Sequence, residues 1–315
     1  MKIIVPTYYR DFTCIAGACK HSCCIGWEID IDDETNEIYR RIGGDFGMRL
    51  SHNIDSEDGQ AHFRLDEDER CPFLNKHGLC DIILTLGEDH LCQICSDHPR
   101  FRNFFSDRTE IGLGLCCEAA GKLILFGDRD FELTLLCEDD EKTTALTDDE
   151  VELLSIRQDI VSLLCDRSLT LSERAARLCA GWGNSLPHKS IAEWAAFYRS
   201  LECLDPKRDE ILTVLESASI EELHFPLDSD TERAFERLLC YFIFRHLSGA
   251  LEDFRYEARI SFALLSLLMI YSAASVIYHR KKSLSHAVLI DLVRIYSSEI
   301  EYSEENMEAI LNELE

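Results

Sequence analysis

The spacing of apolar residues differs between the two halves of the chain. Up to about residue 142, apolar and polar positions alternate over short stretches, and turns rich in glycine, aspartate and asparagine separate them. Alternation with a period of two is typical of strands with one buried face. The predicted elements are strands at residues 27–32, 61–66 and 131–137, a long loop at 43–60, and helices within 83–95 and at 118–126.

From about residue 143, apolar positions recur every three or four residues with few breakers, which predicts amphipathic helices. Thr147 is a candidate N-cap, and Glu150 stands at the capping-box position. We expect roughly six to eight helices. The clearest segments are 147–166, 168–183, 190–204, 229–251, 260–278 and 283–300.

The predicted fold class is mainly α (α+β). An irregular, cysteine-rich, metal-binding domain with short strands is expected at residues 1–142, and an α-helical domain at 143–315. The acidic, threonine-rich stretch at 138–150 marks the predicted boundary.

Residues 260–278 form a run of nineteen residues without a charge, which reaches the length of a membrane span. Ser261, Ser266, Tyr271, Ser272 and Ser275 reduce its hydrophobicity, and an all-round apolar helix is also typical of the centre of a helical domain. We therefore favour a core helix. The basic stretch at 278–282 leaves peripheral contact with an anionic membrane surface as an alternative.

The chain of 315 residues carries a formal net charge of −27. Nucleic acid is excluded as a partner, because binding phosphates requires basic patches and this field repels them. A cationic partner suits the charge better.

Fifteen residues are cysteine, and eleven of these lie before residue 138. The apolar residues 3–5 are cut off by Pro6 and polar residues, so no signal peptide is predicted and we expect a cytoplasmic protein. In a reducing compartment, clustered cysteines are typically metal ligands or catalytic thiols. The four cysteines of the helical half stand singly on apolar faces, which predicts buried hydrophobic roles for Cys165, Cys179, Cys203 and Cys240.

The amino-terminal cysteines occur in short blocks, of which "CIAGACKHSCCIGW" (14–27) is the densest. Close spacing lets neighbouring thiolates converge on one ion, and adjacent glycines permit the tight turns this requires. Spacing leaves zinc and an iron–sulfur cluster equally open, since only Cys92 and Cys95 have a C-x2-C spacing. Signatures of dinucleotide, P-loop, zincin and serine-hydrolase sites are absent from the sequence.

Three segments, at residues 8–32, 71–100 and 115–126, together resemble the flagellin lysine-N-methylase family. The resemblance implies transfer of methyl groups from S-adenosylmethionine to lysines of flagellin or a related lysine-bearing protein, with a cysteine-bound [4Fe–4S] cluster. It implies eight metal-ligand positions: Cys14, Cys19, Cys23, Cys24, Cys71, Cys80, Cys95 and Cys116. Cys92 and Cys117 stand where the family more often has other residues, and the prediction leaves both out.

Arg100 and Glu118, each beside a ligand block, are candidates for contact with the cluster or the methyl donor. A surface ion pair and a helix-start charge are the simpler interpretations of the two. No residue is assigned as the base that deprotonates the lysine. The alternative function is a non-enzymatic zinc- or iron-binding module whose helical domain docks a partner.

Overall fold

The computed structural model describes residues 1–56, 59–138, 142–182 and 189–315. The strands are β1 (Lys2–Pro6), β2 (Asp30–Ile31), β3 (Ile54–Asp55), β4 (Ala61–Phe63), β5 (Arg100–Phe104), β6 (Arg108–Leu113) and β7 (Leu133–Glu138). The amino-terminal α-helices are α1 (Asp33–Arg41), α2 (Gly44–His52), α3 (Asp81–Leu86), α4 (Gln93–Asp97) and α5 (Glu118–Phe126). The others are α6 (Asp148–Leu164), α7 (Leu171–Trp182), α8 (Ile191–Ser200), α9 (Lys207–Glu216), α10 (Ser229–His246), α11 (Ala250–Asp253), α12 (Tyr256–Lys281), α13 (His286–Ile300) and α14 (Glu304–Glu313).

The chain divides into two compact units. The cysteine unit comprises Thr13–Arg100 and Cys117–Ala119, and the helical unit comprises Met1–Phe12, Phe101–Cys116 and Ala120–Glu315. The helical unit therefore includes segments from the amino-terminal half of the chain. Because compactness does not establish independent folding, a domain boundary at residue 142 stays a prediction.

A four-stranded sheet, in the order β5-β6-β1-β7, belongs mainly to the helical unit. β1 pairs in parallel with β6 and antiparallel with β7. The extended structure predicted for residues 131–137 is confirmed by β7. β1 itself was not predicted, because its partner strands lie more than a hundred residues away and no local sequence pattern indicates this pairing.

The helical structure predicted from residue 143 onward is confirmed. The described part of residues 143–315 contains eight helices of at least ten residues, together with the single-turn α11. The capping box is also confirmed, since Thr147 Oγ1 accepts from the Glu150 amide at 3.2 Å and Glu150 Oε2 accepts from the Thr147 amide at 2.7 Å. Residue 183, the predicted end of one helix, lies outside the described residues.

α12 is the core helix that the sequence predicted. By length and composition it could cross a membrane, but 83% of its most apolar window is buried within the protein. It contacts α7, α9, α10, α13 and α14. Two of its buried serines donate to backbone carbonyls: Ser266 to Phe262 O and Ser275 to Glu222 O, both at 2.7 Å.

The cysteine unit builds its core from β2, β4, β3 and short helices. The apolar residues of this core include Ile29, Ile31, Tyr39, Leu50, Phe63, Phe73 and Ile82. The strands predicted at 27–32 and 61–66 are confirmed but are only two and three residues long. Helical structure within 83–95 is confirmed by the end of α3 and the start of α4.

The loop predicted at residues 43–60 is wrong for its first part. Residues 44–52 form α2 and residues 54–55 form β3, whereas residues 57–58 lie outside the described residues. The glycines at 43 and 44 suggested a loop, but Gly44 adopts φ +74° at the helix start and Leu50 is fully buried. Burial of the apolar face outweighs the low helix propensity of glycine here.

The prediction that the cysteines of the helical half are isolated and buried needs correction. Cys240 is fully buried, but Cys165 and Cys179 are partly exposed and Cys203 is exposed. Cys165 and Cys240 are also not isolated, because their thiols share a hydrogen bond. The helical periodicity placed each of the four cysteines on an apolar helix face, but it could not show which helix faces pack against each other.

Candidate metal centre

Five thiols gather in the cysteine unit: Cys24, Cys71, Cys80, Cys92 and Cys95. We name them the inner thiol group. Cys71 and Cys92 are 5% and 0% exposed and belong to the core, and the other three are partly buried against it. Electrostatic interactions join Cys24 to Cys71 and Cys80, and join Cys95 to Cys24, Cys71 and Cys92.

Backbone hydrogen bonds hold the loops that carry this group. The Cys71 amide donates to Cys24 O at 2.8 Å, beside a bridge between Ile25 and Arg70. A second bridge joins Leu74 to Cys80. The backbone positions of Cys24, Cys71 and Cys80 are therefore held by main-chain pairing.

Backbone amides also donate directly to the sulfurs. Cys71 Sγ accepts from the amides of Phe73 and Leu74, two and three residues later. Cys80 Sγ accepts in the same way from Ile82 and Ile83, and Cys92 Sγ accepts from Cys95. Hydrogen bonds of this kind stabilise the negative sulfur, so the turns favour thiolate at these positions.

Burial opposes the effect of those amides on the pKa of the thiols. It raises the pKa of Cys71 to about 12 and also raises the pKa of Cys80. Within the hydrogen-bonded pair Cys92 and Cys95, sharing a proton lowers the pKa of Cys92 and raises the pKa of Cys95. A positive ion among the five sulfurs would remove the electrostatic penalty, so deprotonation and ion binding are linked.

A second set of thiols is more exposed and comprises Cys14, Cys19, Cys23 and Cys117, which we name the outer thiol group. Cys23 interacts with Cys14 and Cys117, and Cys19 interacts with Cys117. Cys23 and Cys24 share a hydrogen bond, which raises the pKa of Cys23 and lowers that of Cys24 to about 7. This pair connects the two groups along the chain.

A close contact between two glycines positions the loops of both groups. An added Cβ at Gly17 would lie 2.7 Å from His77 O, and one at Gly78 would lie 3.3 Å from Gly17 Cα. Gly78 also adopts φ +71°, which favours glycine. The loop between Cys14 and Cys19 therefore lies directly against the turn that precedes Cys80.

The structure places seven of the eight predicted ligands in these two groups. Cys116, the eighth, belongs to the helical unit, where its thiol hydrogen-bonds with Tyr302 and interacts with Arg245. Among the described residues, no group of three or more histidine, cysteine, aspartate or glutamate side chains is placed so that it could hold a metal ion. The ligand set therefore stays a prediction.

The structure adds two thiols that the sequence prediction left out. Cys92 lies in the inner group and Cys117 in the outer group. The C-x2-C spacing of Cys92 and Cys95 was the signal that could have retained Cys92. No local signal separates Cys116 from Cys117, because adjacent residues in the sequence belong here to different units.

Arg100 and Glu118, the two residues predicted to contact the cluster or the methyl donor, lie in different surroundings. Glu118 Oε2 accepts from the Lys20 amide at 3.0 Å and lies 3.8 Å from Cys19 Sγ, beside the outer group. Arg100 donates to Ser96 O at 3.3 Å. Burial, and then the charge of Arg100, lower the pKa of His98 to about 4. Roles for Arg100 and Glu118 in binding a cluster or methyl donor stay predictions.

The inner group consists of donors of the chemical type that a sulfur-ligated cofactor takes. Thiolates are soft ligands that suit zinc and iron–sulfur clusters, and either cofactor takes four of them. Amide donors to the sulfurs and an apolar wall are both features that tune such a centre. The chain is thus a mainly helical protein with a separate, thiol-lined candidate metal centre.

Comparison with known proteins gives the family. A sequence model described as the FliB lysine N-methylase C-terminal domain matches residues 190–315. The flagellar biosynthetic protein FliU of Salmonella muenchen is 30% identical over 128 residues, which cover 38% of this chain and 75% of that protein. The chain belongs to the flagellin lysine-N-methylase family. No solved structure matches it.

Two further relatives are named lysine-N-methylase, from Salmonella choleraesuis (strain SC-B67) and Salmonella typhimurium (strain LT2). Each is 30% identical over 128 residues, covering 38% of this chain. The match spans 31% of the length of each of these two proteins. The family predicted from the cysteine blocks is confirmed, and the matching domain model lies in the helical half, where the sequence offered no recognisable motif.

Proposed function

We propose that this chain is an S-adenosylmethionine-dependent protein lysine N-methyltransferase that acts on flagellin, and that its inner thiols hold a [4Fe–4S] cluster. Family membership supports the methyl-transfer activity, since two relatives carry the name lysine-N-methylase. The name of the FliU relative supports a flagellar substrate. The observation that carries the cofactor proposal is the gathering of five thiols around one apolar core, three of which, Cys71, Cys80 and Cys92, receive backbone hydrogen bonds.

The inner group would provide the ligands as follows. Cys24, Cys71, Cys80 and Cys95 supply four thiolates, and Cys92 is the fifth thiol within the same group. A bound cluster would supply either electrons or a Lewis-acidic iron for the methyl donor. The chain itself contributes amides that offset negative charge on sulfur, and the buried rings and chains of Phe73 and Ile82 exclude water.

The substrate lysine is expected to approach an acidic protein. A net charge of −27 attracts lysine-bearing surfaces over distances up to the Debye length. An amine must lose its proton before it can accept a methyl group in a polar displacement, so a desolvated site favours the reaction. We propose that the reaction takes place in the cytoplasm, where thiols stay reduced, with contact to a membrane surface through residues 278–282 as the alternative.

A second function fits the same donors. Four thiolates in short turns also suit a structural zinc ion, and a zinc- or iron-binding module would need no methyl donor. In that case the helical unit would serve to dock a partner protein. The thiol chemistry of the inner group is the observation that favours this alternative.

The metal and the activity can be tested on the same preparation. The chain is purified without oxygen, and iron, acid-labile sulfide and zinc are measured together with an EPR spectrum after reduction. Purified flagellin and S-adenosylmethionine with a labelled methyl group are then added. We expect matched iron and sulfide and label on flagellin lysines. Stoichiometric zinc without iron or sulfide would exclude the cluster, and a labelled donor that transfers nothing would exclude the methyltransferase.

Variants separate metal binding from general damage to the protein. Cys71→Ser removes an inner thiol and is expected to lower the metal content, whereas Cys203→Ser changes an exposed thiol of the helical unit and should leave it unchanged. If both variants keep the wild-type metal content, Cys71 is not a ligand.

A further inference from the structure

The helical unit contains a pair of neighbouring thiols that the proposed function does not use. Cys165 ends α6 as its C-cap residue, and Cys240 lies within α10. Cys240 is fully buried, whereas Cys165 is partly exposed to solvent. The two side chains interact directly and α6 packs against α10, so the thiols are neighbours although seventy-five positions separate them in the sequence.

Polar contacts fix the two backbones around this pair. Arg174, which is 2% exposed, donates through one nitrogen to Leu164 O at 2.7 Å and to Glu236 Oε2 at 2.5 Å. Leu164 precedes Cys165, and Glu236 lies one helical turn before Cys240. The Arg174 guanidinium therefore links the end of α6 to α10 next to the two sulfurs.

The electrostatic surroundings distinguish the two thiols. The hydrogen bond from Cys240, with a further contribution from Arg167, lowers the pKa of Cys165, whereas the same hydrogen bond and complete burial raise the pKa of Cys240. Arg167 is held in place by Glu236 at 2.8 Å and by Asp130 at 2.7 Å. A partly exposed thiol that ionises more readily, beside a buried partner, is the arrangement found in redox-sensitive cysteine pairs.

A buried hydroxyl without a partner lies beside the pair. Tyr8 is 3% exposed, and its hydroxyl makes no hydrogen bond within the described residues. It interacts electrostatically with Cys240. An unpaired donor in a dry interior is costly, and it can be satisfied by negative charge that develops on a neighbouring sulfur.

We propose that Cys165 and Cys240 form a site of oxidative modification at which a peroxide converts the two thiols into a disulfide between α6 and α10. The Cys165 thiolate attacks a peroxide oxygen, the O–O bond breaks, and Cys165 becomes a sulfenic acid as water leaves. The Cys240 sulfur then attacks the Cys165 sulfur, the S–O bond breaks, and a second water carries away the Cys240 proton. In total, two thiols are oxidised, one hydrogen peroxide is reduced, and two waters form.

The test maps the linkage in the whole chain. The protein is purified without oxygen and treated with a few equivalents of hydrogen peroxide, and the remaining thiols are blocked with N-ethylmaleimide before digestion with trypsin. Cleavage after arginine gives peptides 158–167 and 238–245, each with a single cysteine. We expect a disulfide-linked pair of these two peptides, at least about tenfold more abundant than a link from Cys240 to Cys179, because Cys165 is the thiol that interacts directly with Cys240 in the folded protein.

Two variants extend the test without relying on substitution of the buried Cys240. Cys165→Ser should abolish the linked peptide, and Cys203→Ser should leave its yield unchanged. Tyr8→Phe should slow formation of the link while leaving the unmodified protein folded. Oxidation should raise the thermal midpoint of the wild type above that of Cys165→Ser treated identically, because the link constrains the unfolded chain.

The outcome does not depend on the proposed methyltransferase activity, since the readout is a peptide mass. If peroxide leaves Cys165 reduced, or converts it to a sulfinic acid without a link to Cys240, the proposed site is wrong. A linked peptide that survives in Cys165→Ser would show that another thiol supplies the bond, and it would equally overturn the assignment.

Discussion

Tyr8 is a residue whose contribution to stability has an unexpected sign. Its buried hydroxyl has no hydrogen-bond partner in the described residues, so folding removes that group from water without compensation. We expect Tyr8→Phe to raise the free energy of unfolding by about 1 kcal/mol, because only the uncompensated hydroxyl is lost. Urea denaturation followed by circular dichroism measures the change.

Tyr39 provides the matched control for this prediction. It is also buried, but its hydroxyl donates to His90 O at 2.7 Å. Tyr39→Phe should therefore destabilise the protein by about 1 kcal/mol. Changes of the same sign in both variants would contradict the explanation through hydrogen bonding.

Glu110 and Arg157 form a buried ion pair in the helical unit. The two terminal guanidinium nitrogens of Arg157 each donate to the Glu110 carboxylate at 2.6 Å, and the side chains of Glu110 and Arg157 are 0% and 6% exposed. Glu110→Ala should lower the free energy of unfolding by about 3–5 kcal/mol, because it leaves the Arg157 charge buried and unpaired. The loss is measured by chemical denaturation.

The double variant Glu110→Met, Arg157→Met separates pairing from packing. It should be more stable than Glu110→Ala, since neither charge then remains in the interior. The exposed pair Arg41 and Glu37 is the control, and its removal should have almost no effect. A double variant as unstable as the single one would show that shape, and not charge, determines the loss.

The residues of the candidate site were only partly predictable. Cysteine spacing identified thiols such as Cys71 and Cys80, because local turns keep close neighbours together. It could not divide the thiols into inner and outer groups, since the pairing of Cys24 with Cys71 is made by backbone contacts between distant segments. Cys92 was left out of the predicted ligands because the family more often has another residue at that position, although Cys92 lies in the core with Cys95.

At the scale of elements, the contact between the Gly17 and Gly78 loops determines whether the thiols can gather. A Cβ at Gly17 would lie 2.7 Å from His77 O, a distance at which the backbone must move. We expect Gly17→Ala to lower the metal content of protein purified without oxygen, because the two loops separate. The measurement is metal per chain by mass spectrometry.

Gly181 gives the comparison for the same chemical change. It lies in α7, and an added Cβ there meets no atom within 4 Å. Gly181→Ala should keep the wild-type metal content and stabilise the helix by about 0.5–1 kcal/mol. Equal metal content in the two variants would mean that the glycine contact does not hold the thiol loops.

Elements with local signals were predicted better than elements made by distant pairing. α6 was recognised from its periodicity and its capping box, both of which lie within the helix itself. β1 was missed because it is a strand only through β6 and β7. α2 was missed because its two glycines suggested a loop, although the burial of Leu50 favours the helix.

At the scale of the whole molecule, acidification has two opposing effects. Mild acid neutralises part of the net charge of −27 and reduces self-repulsion. Stronger acid protonates carboxylates that arginines hold in the native state. Arg167 and Arg233 hold the pKa of Asp130 well below its usual range.

The sign of the Asp130 contribution follows from that direction. Because its folded pKa is the lower one, its stabilising contribution is complete above the unfolded value of about 3.9 and is lost as the pH falls toward the folded value. Asp130→Asn should destabilise the protein by less than about 1 kcal/mol at pH 7, since the groups are partly exposed, and should reduce the further loss below about pH 4. Urea midpoints at pH 7 and pH 3 measure both effects.

An exposed carboxylate tests whether this effect is specific. Glu37→Gln removes a charge of the same sign from a pair in which both side chains are more than half exposed. Its urea midpoint should follow the wild type at both pH values. If Asp130→Asn also loses as much stability as the wild type between pH 7 and pH 3, its arginine contacts do not contribute to acid sensitivity.

The burial of α12 has a consequence for the order in which the protein is made. α12 emerges from the ribosome before α13 and α14, two of the helices that cover it, do. During that interval the nascent chain displays a segment with the length and hydropathy of a membrane anchor. α10 is already available and contacts α12, so its early docking would shield the segment from targeting factors and from aggregation.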